Sequence, residues 1–147
     1  MGFAEDLEAA KTSPAPTDDV DVQLNGKTYT LRFRKVSGPE WADAVDHSPA
    51  RLGVAMDSFY GYNLRAAVLY IAPRSGVLLE DDNEVPLLVD LSDPKKPVNQ
   101  WDDLLTALGG YDFQRVTDTV YSLNEKSPAE VLDAAKKALG GSGKSSS

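Results

Sequence analysis

Hydrophobic positions in this chain change period several times, and each change marks an element. Residues 1–11 place Phe3, Leu7 and Ala10 on one side of a short helix, and Ser13-Pro14-Ala15-Pro16-Thr17 then interrupts it. A mobile arm or weakly docked helix is expected over residues 1–19. From Val20 the period falls to two: Val20, Val22 and Leu24 alternate with polar residues, and after Asn25-Gly26 so do Tyr29, Leu31 and Phe33. Asn-Gly suits a two-residue turn whose central positions both need positive φ. The register then pairs Leu24 with Lys27, Val22 with Tyr29 and Val20 with Leu31, so every apolar side chain falls on one face. Gln23 with Thr28, Asp21 with Thr30 and Asp19 with Arg32 fall on the other.

Beyond the hairpin the period becomes helical. Ser37-Gly38-Pro39-Glu40 has the form of a capping box and opens a short helix carrying Trp41, Ala44 and Val45. Residues 50–62 fit either a short helix or a packed loop. Asn63 caps LRAAVLYIA, whose stripe of Leu64, Ala67, Val68 and Ile71 predicts the central core helix, ended by Pro73. The apolar runs Val77 to Leu79 and Val85 to Leu91 flank an acidic segment and suggest a second hairpin or irregular excursion, with Pro86 confining the second run to an edge.

Residues 98–124, VNQWDDLLTALGGYDFQRVTDTVYSLN, predict two amphipathic helices hinged at Gly109-Gly110. Trp101, Leu104, Leu105 and Leu108 share one face of the first; Phe113, Val116, Val120 and Leu123 share one face of the second. Ser127-Pro128-Ala129-Glu130 repeats the capping-box form and starts a last helix with Leu132, Ala135 and Leu139. The Gly/Ser tail, residues 140–147, is expected to be disordered. These elements define an α-rich α+β fold, one globular domain over residues 20–139, in which an N-terminal β-hairpin packs on a bundle of four or five short helices.

Composition narrows the chemistry. The 147 residues suffice for one domain with a substantial core. A net charge of −8, with the basic residues scattered along the chain, argues against a nucleic-acid surface. There is no cysteine, which excludes disulfides and thiolate chemistry and suits a reducing compartment. The acidic start resembles no secretory signal, and no apolar run reaches the roughly 18 residues of a membrane span.

Candidate chemical groups have plain structural alternatives. His47 is the sole histidine, and a hydrolase would have to combine it with a serine; at a helix end it also simply complements the dipole. The acidic run at residues 80–84 lacks the spacing and glycine of a calcium loop and reads as a solvated loop. Gly143-Lys144-Ser145 lacks the rest of a phosphate-binding loop. No catalytic residue, metal ligand or cofactor site emerges, and residues 98–124 stand out as apolar surface suited to packing or to partner binding.

The order of these parts, with VDVQLNGKTYTLRFRKVSGPEW at one end and VNQWDDLLTALGGYDFQRVTDTVYSLNE at the other, resembles the tail assembly chaperones of long-tailed bacteriophages over roughly residues 20–125. W-x-x-L-L and Y-S-L-N carry most of the likeness. The resemblance implies a non-enzymatic protein of the host cell cytoplasm that binds the tape measure protein, keeps it soluble and promotes tail tube assembly, with the tail tube protein as a further partner. It also implies absence from the mature virion, and in that family a longer form often arises by ribosomal frameshifting; the codons of Ser142-Gly143-Lys144 could encode a slippery run, while an engineered linker or a plain disordered end accounts for the tail equally well. Under it Trp101, Leu105, Phe113, Val116 and Val120 are the candidate partner contacts, and a homo-oligomer is allowed. The alternative is a structural virion protein, such as a tail-completion or head-tail connector subunit.

Overall fold

In the computed structural model, which describes residues 2–144, the chain forms a mixed α+β fold. Helix α1 (Phe3–Thr12) precedes a hairpin of β1 (Thr17–Leu24) and β2 (Lys27–Arg34). Helices α2 (Gly38–Asp46), α3 (Ala55–Tyr60) and α4 (Leu64–Ser75) follow, then β3 (Gly76–Glu80) and β4 (Asn83–Val85). A small ribbon of β5 (Val89–Asp90) and β6 (Val98–Asn99) leads into α5 (Gln100–Ala107) and α6 (Gly110–Tyr121). A π-turn (Ser122–Lys126) joins α6 to α7 (Ser127–Lys144).

The hairpin has the register its pattern dictates: Leu24 faces Lys27, Val22 faces Tyr29 and Val20 faces Leu31. Asn25 and Gly26 take φ of 53° and 75°, the left-handed values that such a turn demands. Side chains on the solvent face pair as the register places them. Gln23 Nε2 donates to Thr28 Oγ1 at 2.6 Å, Thr30 Oγ1 to Asp21 Oδ1 at 2.6 Å, and Arg32 Nε to Asp19 Oδ1 at 2.8 Å. Strand β1 starts at Thr17, inside the expected arm, while α1 buries none of its residues.

The hairpin is half of a larger sheet. Strand β3 pairs antiparallel with β2 and β4 with β3, giving the order β1-β2-β3-β4. Pro86 follows β4 and ends it as an edge. Alternation puts Val20, Val22, Leu31, Phe33 and Leu78 on one face, against which α4 and α6 pack, while α2 and α5 pack on α4. In α4 all four stripe residues, Leu64, Ala67, Val68 and Ile71, are buried, and Asn63 caps the helix by accepting from Ala66 N at 3.2 Å.

Proline ends neither helix expected to stop or start beside it. Pro73 lies inside α4, where it removes one backbone donor, and the helix continues to Ser75. Gly76 N then donates to Ala72 O and Ser75 Oγ to Ile71 O at 3.0 Å, which bonds two terminal carbonyls. At Ser127-Pro128 the expected capping box does not form. The chain stays helical from α6 to α7, and Ser127 N bonds back to Ser122 O across the wider π-turn. Widening the turn just before Pro128 makes room for a ring that would collide with the carbonyl four residues earlier. Helix α7 reaches Lys144, past the expected end at residue 139; residues 145–147 of the expected tail lie outside the described residues.

Candidate functional site

Trp101, Leu105, Val116 and Val120 point inward. Their exposures are 1%, 6%, 0% and 1%, and Phe113 is partly buried against the same cluster. Trp101 lies on Phe33 with ring centroids 5.7 Å apart. The periodic stripe of residues 98–124 forms the core between helices and sheet, so these four side chains offer a partner no free surface. A stripe identifies which face is apolar; it does not say whether the fold covers it.

Their neighbour Leu104 has a different environment. It lines a cleft of about 570 Å³ between α5 and the core face of the sheet. The ladder sets the floor: Leu31 pairs with Leu78 and Leu78 with Val85, so three strands present apolar side chains in one row. Tyr29 continues it, and Leu104 and Ala107 of α5 form the wall. Gln100 closes one end, since its side-chain carbonyl accepts from Leu88 N at 2.7 Å while its own N donates to Leu88 O at 2.9 Å. Glu80 and Asp103 are the charged residues of the lining, both acidic and both exposed. An apolar trough with acidic margins suits an amphipathic helix whose apolar stripe is bordered by Lys or Arg.

A polar recess of about 280 Å³ brings together Arg32, Arg34 and Arg74, which are distant in the chain. Their guanidinium groups are engaged in the fold. Arg32 pairs with Asp19 and with Glu84, Arg34 Nη2 donates to Arg74 O at 2.7 Å, and Arg74 lies 4.1 Å from the centre of the Tyr70 ring.

The π-turn carries groups that periodicity did not single out. It aims Asn124 and Glu125 inward beside the buried Leu123. Val36 N donates to Asn124 Oδ1 at 3.0 Å; Trp41 Nε1 and the Tyr62 hydroxyl donate to the two Glu125 oxygens at 3.0 and 3.1 Å. Burial, and then the Glu125 charge, push the Tyr62 phenol well above its ordinary range, so it stays a donor. Asn124 belongs to the Y-S-L-N segment, whose polar residues had no assigned role; its part is to tie α6 to the segment after β2.

The remaining candidates have partners within the fold. His47 caps α2, with Nδ1 2.8 Å from Asp43 O and its ring stacked on Tyr70 at 4.7 Å. The acidic run at 80–84 ends β3 and starts β4, with Asp81 and Asp82 forming the turn between them at φ 50° and 64°. Asp57, 1% exposed, accepts from Arg51 N at 2.8 Å and from Arg51 Nε at 2.9 Å, which closes the loop before α3. These bonds hold its carboxyl below the usual range. Among the described residues no group of three His, Cys, Asp or Glu could hold a metal ion, and no helix is long and apolar enough to cross a membrane. No family model, curated protein or solved structure matches the chain.

Proposed function

We propose that the protein is a tail assembly chaperone of a long-tailed bacteriophage, and that the cleft between α5 and the sheet receives a helical segment of the tape measure protein. The observation that carries this reading is the apolar trough lined by Tyr29, Leu78 and Leu104 and bordered by Glu80 and Asp103. A long helical protein waiting to be built into a tail exposes apolar stripes that aggregate. A trough that covers one such stripe, on a carrier with a net charge of −8, keeps the complex soluble. The sequence resemblance over residues 20–125 supports the same reading. In this role the protein acts in the host cytoplasm by binding, recruits tail tube subunits to the coated partner, and leaves before the virion is complete.

Co-expression tests it. A tape measure fragment that is insoluble alone should become soluble with the wild-type protein and remain insoluble with the Glu80→Lys/Asp103→Lys variant. Mass spectrometry of purified virions should find the tape measure protein without this chain; stoichiometric presence of the chain would establish a virion structural subunit instead.

A further inference from the structure

The chain carries a second surface of the kind its own cleft accepts. Every residue from 129 to 139 is exposed, including Val131 at 70% and Leu132 at 55%. Along α7, Val131 and Ala135 are one turn apart, with Leu132 at one margin of their stripe. Lys136 lies beyond Leu132 on that margin, whereas Asp133 is on the opposite side of the helix. The charge on the Leu132 margin is therefore basic, Glu130 and Lys137 offset each other on the far margin, and the charge bordering the cleft is acidic, from Glu80 and Asp103.

The two surfaces do not meet within one molecule. The main contacts of α7 are with the π-turn that precedes it, and its stripe remains exposed. The cleft lies against α5 and the β2-β3-β4 side of the sheet, whereas α6, which leads into α7, packs on β1 and β2.

We propose that α7 of one copy docks in the cleft of a second copy, with Val131, Leu132 and Ala135 on the apolar floor and Lys136 beside Glu80 and Asp103. The contact is head to tail, because the surface given differs from the surface received. Such contacts close into rings, of which a reciprocal pair is the smallest, or run on as open chains. A bound copy also occupies the trough, so α7 acts as a placeholder that a tighter-binding helix displaces. Self-association does not depend on the proposed tape measure role; the displacement rests on it.

Two variants altered only at exposed positions separate the halves of the contact. In Glu80→Lys/Asp103→Lys the cleft is blocked, and in Val131→Asp/Leu132→Asp the helix is blocked. Sedimentation velocity of the wild-type chain should show self-association that increases with concentration, ending at a dimer if the exchange is reciprocal and running beyond it if it is not. Each variant alone should remain monomeric, with an unchanged near-ultraviolet spectrum reporting an intact body. An equimolar mixture should form a heterodimer and stop there, since only one intact cleft and one intact helix remain per pair. A monomeric wild type at all concentrations, self-association of either variant alone, or a mixture that stays monomeric overturns the proposal. The Val131→Asp/Leu132→Asp variant keeps its cleft and should still dissolve the tape measure fragment. Failure there counts against the proposed function and leaves the self-association result standing.

Discussion

Gly76 lies so close to Trp101 that a β-carbon on it would stand 2.7 Å from Trp101 Cζ2, and equally close to Phe33 Cε1. The backbone of β3 passes directly over the indole, and only a residue without a side chain fits there. Gly76→Ala should therefore destabilise the protein by about 1–3 kcal/mol through overpacking. Trp101→Ala should cost about 3–5 kcal/mol by leaving a cavity. Urea denaturation followed by circular dichroism measures both. A neutral Trp101→Ala would mean that the indole is not core.

Helix α6 seals the open edge of β1. Asp112 Oδ2 accepts from Gln23 N at 2.8 Å, and Arg115 Nη1 donates to Asp21 O at 2.6 Å, so two outward-facing backbone groups of the strand are occupied. Asp112→Ala/Arg115→Ala should cost about 1–2 kcal/mol and raise the rate of aggregation at elevated temperature. Light scattering during a thermal hold checks this. An aggregation rate equal to wild type would show that the edge needs no cover.

Tyr62, held against Glu125, makes stability sensitive to alkaline pH. The folded state raises the Tyr62 phenol, so its contribution is complete below the ordinary value of 10.0 and is lost as pH rises above it. The stability difference between wild type and Tyr62→Phe should accordingly be constant below pH 10.0 and shift against wild type above it. Glu125→Ala, which leaves the Trp41 indole N–H and the Tyr62 hydroxyl without their acceptor, should be markedly more damaging than Glu125→Gln. Equal losses from the two Glu125 variants would contradict the network.

Asp57 contributes on the acid side with the opposite sign. Its folded carboxyl titrates below the ordinary 3.8, so its contribution is present above that value and is lost as pH falls through the folded pKa. Asp57→Asn should be less stable than wild type at neutral pH, and the gap should narrow below pH 3.8. Thermal melts across the acid range measure the gap; a gap independent of pH would remove the Arg51 ion pair as its cause.

Local signals carried part of this architecture a long way. The first hairpin was legible down to its register, because Asn25-Gly26 and two alternating strands specify the same pairing. The Ser37 and Asn63 caps were legible as well, and Ser37 Oγ accepts from Glu40 N at 3.2 Å. The four-stranded sheet was less so, since β3 begins at the residue after α4 and its turn uses Asp81-Asp82 instead of a glycine. The continuous helix through Pro128 was hidden because a π-turn has no sequence signature as sharp as a cap. The candidate site shows the same limit. Periodicity found the apolar face of α5, but the division between buried Leu105 and cleft-lining Leu104 depends on which elements pack on either side of the helix, which is a tertiary fact.

The central claim is that the α5–sheet cleft holds a helix of the tape measure protein. Amide chemical-shift mapping on the isotope-labelled chain, titrated with a soluble helical segment of that partner, tests it most directly. The account predicts shifts concentrated at Tyr29, Leu78, Glu80, Asp103 and Leu104. An absence of shifts, or shifts confined to surfaces away from the cleft, would contradict it.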